Sequence, residues 1–219
     1  TPYGLFTSDT RFVDVENDDG IPEMAIGRIP AITVEDFIQV VDKIKRYENC
    51  AAGNWVKQVV MLADDPDNGG NFSSDSDEIA DLLPVEYSPQ KVYLSNMNIN
   101  SARSALFEEI NKGAFLVNYL GHGAITNLAD EGLLTTYDMQ YFTTNDRIPV
   151  VAMMTCVAGR FSIPGYDSLG EVLLLQEDKG AVAVLAPTGL SMNSQAMVMD
   201  QEFFREVFKN GEKRAGKAI

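Results

Sequence analysis

Apolar residues fall along this chain in two rhythms. Val59-Val60-Met61-Leu62-Ala63 and Val150-Val151-Ala152-Met153-Met154 are continuous apolar runs, the pattern of strands buried on both faces of a parallel sheet. Residues 91–94, 114–119 and 181–186 read as further strands, and residues 22–30 as a short strand closed by Pro30. Between the runs, apolar positions recur at helical spacing. Thr33 is placed to cap a helix reaching Tyr47, with Asp36 completing a capping box. Residues 75–83, 101–110 (with Ser101 as cap), 169–175 and 196–209 read as further helices, the last stopped by Gly211.

Strands alternating with helices predict an α/β fold, a mostly parallel sheet with helices on both faces. Right-handed crossovers then bring the C-terminal ends of the strands to one edge, where ligands and chemistry are expected. No internal repeat interrupts this order, so residues 1–219 read as one domain.

Composition narrows the function. With 219 residues, 45% of them hydrophobic, the chain can bury a full core. It carries no run of about eighteen apolar residues, so no membrane insertion is expected, and no leader with a cleavage site. The start at Thr1 and the stop at Ile219 give it the look of a piece excised from a longer precursor. A net charge of −15 disfavours nucleic acid and anionic membranes, and suits basic peptides and divalent cations. Two distant cysteines and one histidine are neither a disulfide framework nor a zinc site. No glycine-rich phosphate-binding motif follows a strand, which leaves a nucleotide-binding reading of the fold unsupported.

Chemistry gathers at two strand ends. His122, in Gly121-His122-Gly123, follows one buried run, and Cys156, in Thr155-Cys156-Val157-Ala158-Gly159, follows the next. If those strands are neighbours, imidazole and thiol come within reach, as nucleophilic catalysis requires. Flanking glycines permit a tight turn, and the amides of Gly123 and Cys156 could face one oxyanion. Alone, a Gly-His-Gly is an ordinary turn and a Cys a small core residue. Their joint placement is what points to catalysis.

The stretch Leu116-Val117-Asn118-Tyr119-Leu120-Gly121-His122-Gly123, followed by Ile148-Pro149-Val150-Val151 and by Thr155-Cys156-Val157-Ala158-Gly159-Arg160-Phe161, resembles the catalytic core of the gingipain-type peptidases. These belong to the caspase-like clan of cysteine peptidases. The resemblance runs from Gly20 onward and includes residues 22–30 and 181–186. It implies a caspase-like three-layer sandwich and a cysteine endopeptidase with a His122–Cys156 dyad, acting through an acyl-enzyme on protein or peptide substrates. No cofactor is implied for catalysis. Secretion or a bacterial cell-surface location is implied, as are flanking domains of the same precursor.

The family also places an acidic group near the histidine and, in members cutting after Arg or Lys, one in the primary pocket. Asp64, Asp65 and Asp67 are the candidates here. Thr188 and Leu190, in the loop after the last strand, are expected to form another pocket wall. The alternative is a catalytically silent module serving secretion or protein binding. Separately, Asp14, Glu16 and Asp18 space oxygens at alternate positions before Gly20, as calcium loops do, without the full EF-hand pattern.

Overall fold

A computed structural model describes residues 7–143 and 145–218. Helix α1 (Val34–Asn49) opens with the capping box of Thr33 and Asp36, an arrangement worth about 1 kcal/mol. Strand β1 (Gln58–Ala63), helix α2 (Phe72–Ala80), strand β2 (Ser88–Tyr93) and helix α3 (Ile99–Lys112) follow. Next come β3 (Leu116–Leu120), a small hairpin of β4 (Asn127–Leu128) and β5 (Leu134–Thr135), and β6 (Val150–Met154). Helix α4 (Leu169–Leu175), strand β7 (Ala183–Leu185) and helix α5 (Asn193–Phe204) complete the order.

The main sheet runs β2-β1-β3-β6-β7 with every neighbour parallel. Chain order reverses between β1 and β3, a switch point where a crevice opens beyond the strand ends. Because successive side chains point to opposite faces, Val60, Leu62, Val117, Tyr119, Val151 and Met153 pack toward α3 and α4. Val59, Met61, Leu116, Leu120, Ala152 and Met154 pack toward α2 and α5. Two cores on one sheet make the three-layer α/β sandwich that the sequence predicts.

Local signals set most boundaries. Gly211 takes φ +72°, as a left-handed stop requires. Helix α2 starts earlier than predicted because Asn71 accepts the Ser74 N–H. Asn98, not Ser101, caps α3: its side chain accepts the Ser101 amide. Residues 22–30 form no strand and lie mostly exposed; an extended apolar segment becomes a strand only where a sheet edge pairs with it. The β4–β5 hairpin was not legible at all. It is pinned to α3 by Arg103, whose guanidinium grips the buried Asp138 bidentately at 2.5 and 2.9 Å.

One polar pair lies inside the α5-side core. Asn118 Nδ2 donates to Asp200 Oδ2 at 2.7 Å, and both side chains are fully buried. Asn118 Oδ1 and Asp200 Oδ1 have no partner. Burial raises the Asp200 carboxyl to about 7, against the smaller opposing effect of the Asn118 bond.

Candidate active site

Register brings the two candidate residues together. Leu120 of β3 pairs with Met154 of β6, and His122 and Cys156 each lie two residues beyond that pair. Adjacent strands run about 4.8 Å apart, so the two turns leave the sheet side by side. Gly123 confirms the contact: a Cβ there would fall inside the van der Waals shell of Thr155 Oγ1. Both candidates line one cleft of about 270 Å³ at the switch-point edge, with Gly69, Phe72, Met192 and Asn193 among its other walls.

The loop after β1 supplies the carboxylates. Asp67 Oδ2 sits 3.0 Å from His122 Nε2, and the ring also stacks edge-on against Phe72 at 5.3 Å. Gly69 closes over the imidazole, where a Cβ would lie 3.0 Å from Cε1 and Nε2. The Gly69 amide, donated at 2.7 Å, is the main cause holding the Asp67 carboxyl below its usual range, with the His122 bond adding to it. An ionised carboxylate on one ring nitrogen orients the imidazole.

Asp64 was expected in the substrate pocket, but only 3% of it is exposed. Its Oδ2 accepts the His122 N–H at 3.0 Å and its Oδ1 the Asp65 N–H at 2.9 Å. Burial raises its pKa while these amides lower it. Asp64 therefore braces the histidine turn instead of meeting a ligand. Asp65 is exposed and clusters with Asp64 and Glu131, away from the cleft walls.

Around Cys156 the backbone is strained. Val157 takes φ +48°, which for a β-branched residue costs about 1–3 kcal/mol. Its N–H reaches Gly189 O at 3.0 Å and Gly159 N–H reaches Pro187 O at 2.9 Å, tying the turn to the loop after β7. The thiol lies against that loop, accepting Ser191 N–H at 3.3 Å and donating to Ser191 O at 3.4 Å.

The wall assigned to Thr188 and Leu190 belongs to a neighbouring groove. Thr188 Oγ1 donates to Thr7 O at 2.5 Å, and Leu190 is 60% exposed. Ser191 and Met192 from the same loop, and Asn193 at the start of α5, line the cleft itself. Asn193 also brings in a carboxylate that sequence reasoning missed, donating to Asp75 Oδ2 at 2.7 Å. Asp75 lies in the first turn of α2, and no local pattern sets it apart from its acidic neighbours.

The cation triad of the sequence does not assemble. Asp18 takes φ +49° and pairs with Arg11, both exposed, and Glu16 stays outside any cluster among the described residues. With Gly20 at φ +84° the chain reverses, so Asp14 gathers instead with Asp19 and Glu23. Asp14 Oδ2 accepts the Gly20 amide at 2.8 Å, while its Oδ1 is buried without a partner.

The family model for peptidase family C25 matches residues 2–219. Gingipain R2 of Porphyromonas gingivalis is 28% identical over 193 residues, covering 83% of this chain and 26% of that protein. Lys-gingipain W83 of Porphyromonas gingivalis is 26% identical over 179 residues, covering 80% of this chain and 10% of that protein. Among solved structures, the Arg-specific cysteine proteinase gingipain R (RGPB) superposes with a TM-score of 0.84 at 24% identity, over 100% of this chain and 53% of that one. The chain thus spans 26% and 10% of these two relatives and about half of that structure. Among the described residues, no helix is long and apolar enough to cross a membrane.

Proposed function

Because the chain belongs to peptidase family C25, we propose that it acts as a cysteine endopeptidase with Cys156 as nucleophile and His122 as proton carrier. The observation that carries this reading is their shared register beyond the Leu120–Met154 pair, in one cleft, with Asp67 on the imidazole. With Nε2 held by Asp67, Nδ1 is the ring nitrogen left for the thiol. The thiol turns away from Ser191 O and gives its proton to His122. Sγ then bonds to the peptide carbonyl carbon. The tetrahedral oxyanion is met by the amides of Gly123 and Cys156. Gly123 suits that role because its bridge to Leu128 is flanked by the Ala124–Asn127 and Ala129–His122 bonds, a register in which the ladder does not use the Gly123 N–H. Collapse breaks the C–N bond as His122 returns the proton to the leaving amine. Water, deprotonated by His122, then hydrolyses the thioester and regenerates the thiol.

The proposed substrates are proteins or peptides cut after a basic residue, read by Asp75 beside Asn193 at the cleft wall. The net charge of −15 would favour such substrates at long range. Three carboxylates with ligand atoms within 4.8 Å, one carrying an unpartnered oxygen, fit a hard cation, so we assign structural calcium to Asp14, Asp19 and Glu23. Secretion and flanking domains of one precursor are carried over from the gingipain likeness.

The test is cleavage of a positional peptide library, with calcium and reductant, by the wild type, Cys156→Ala and Asp75→Asn. Cleavage after Arg or Lys should vanish in Cys156→Ala, and in Asp75→Asn should fall relative to other positions. Persistence in Cys156→Ala refutes the nucleophile. No cleavage by the wild type favours the silent module.

A further inference from the structure

Resting on the peptidase reading, a tyrosine-centred network concerns how His122 is held in place. Tyr119 precedes it on β3, fully buried among Leu128, Ala129, Leu133 and Leu134. Its side chain folds back beneath the turn. The hydroxyl lies 2.6 Å from His122 O and 3.3 Å from Asp64 Oδ2, and accepts Ala129 N–H at 3.0 Å. A hydroxyl has one proton to give, and the shorter contact takes it, so Tyr119 donates to His122 O. Asp64 grips the amide side of the same residue. Gly121 lets this happen: a Cβ there would collide with the Tyr119 hydroxyl and lie 2.5 Å from Asp64 Cβ. Ala129, in the turn just after β4, also donates to His122 O at 2.9 Å and takes φ +57°.

We propose that the Tyr119 hydroxyl is a positioning group for catalysis, fixing the His122 carbonyl so that the imidazole is held between Asp67 and the thiol. Tyr119 touches neither substrate nor thiol; it acts through the backbone of His122. Burial and the neighbouring Asp64 push its ionisation well above the usual tyrosine range, so it stays a donor throughout the working pH range. Displacements of about 1 Å at a reacting group can lower a rate about a hundredfold.

The test compares Tyr119→Phe with Tyr93→Phe. Tyr93 is also buried and its hydroxyl bonds Asp77 at 2.8 Å, but it sits on the edge strand β2. Tyr119→Phe should lower kcat about tenfold to a hundredfold, with KM within about twofold. Tyr93→Phe should leave kcat unchanged even if it melts earlier. His122 is the sole histidine, so its ring signals stand alone in a proton–nitrogen correlation spectrum. They should shift in Tyr119→Phe and not in Tyr93→Phe. Unshifted ring signals in Tyr119→Phe overturn the proposal, even if kcat has fallen, and so does a wild-type kcat. A wild type that cleaves nothing refutes the peptidase reading instead, while the ring signals still decide the role of Tyr119. If Tyr119→Phe does not fold, the wild-type hydroxyl proton is sought directly. A slowly exchanging resonance with cross-peaks to Ala129 and His122 supports the bond, and its absence overturns it.

Discussion

Asp200→Asn should abolish a pH-dependent loss of stability built into the α5-side core. Burial raises the Asp200 carboxyl to about 7, whereas an unfolded aspartate titrates near about 3.9. Between those values the folded chain holds a proton that the unfolded chain has released. Stability therefore falls as pH rises through this window, and the loss is complete above it. Three units at about 1.4 kcal/mol each amount to about 4 kcal/mol. The structure shows where the proton belongs: Asn118 Oδ1 and Asp200 Oδ1 are the two unpartnered oxygens of the pair, and a protonated Asp200 donating to Asn118 Oδ1 satisfies both. Asparagine at 200 supplies the same donor through its amide at every pH and still accepts Asn118 Nδ2. Urea unfolding from pH 4 to 9, followed by the fluorescence of Trp55, the only tryptophan, measures the difference. Wild type and variant should be about equally stable at pH 4, and the variant more stable by up to about 4 kcal/mol at pH 8. Subtracting the two profiles removes the other titrating groups. Parallel profiles, or a variant less stable at pH 8, refute the assignment.

Gly123→Ala should leave the fold intact yet lower kcat about a hundredfold or more, because the new Cβ meets Thr155 Oγ1 and pushes the turn and its amide off the oxyanion position. Steady-state kinetics beside a thermal melt separates this from unfolding; a wild-type kcat would refute it. Asp67→Asn should lower kcat about tenfold or more with little change in stability, since the carboxylate is half exposed and acts on the His122 ring. An unchanged kcat would leave Asp67 a solvated loop acid.

Much of this protein could be read from the chain alone. Continuous apolar runs marked β1 and β6 because a strand buried on both faces admits few polar positions, and the capping box of Thr33 and Asp36 marked the start of α1 because that bond is local. His122 and Cys156 were legible because each follows such a run, and parallel strands deliver their ends to one edge whatever their order. Contacts between residues distant in sequence were not legible. Asp64, Asp65 and Asp67 look alike in the sequence, and only the packing of the loop after β1 made one a brace for the histidine backbone, one a surface acid and one the partner of its ring. The cation triad failed because the turn at Asp18 and Gly20 redirected the side chains. Residues 22–30 carry strand-like composition, but no sheet edge pairs with them. Local periodicity thus determined which segments are buried and where chemistry could lie. Tertiary structure decided which carboxylate does what, because burial and hydrogen-bond partners are properties of the assembled fold.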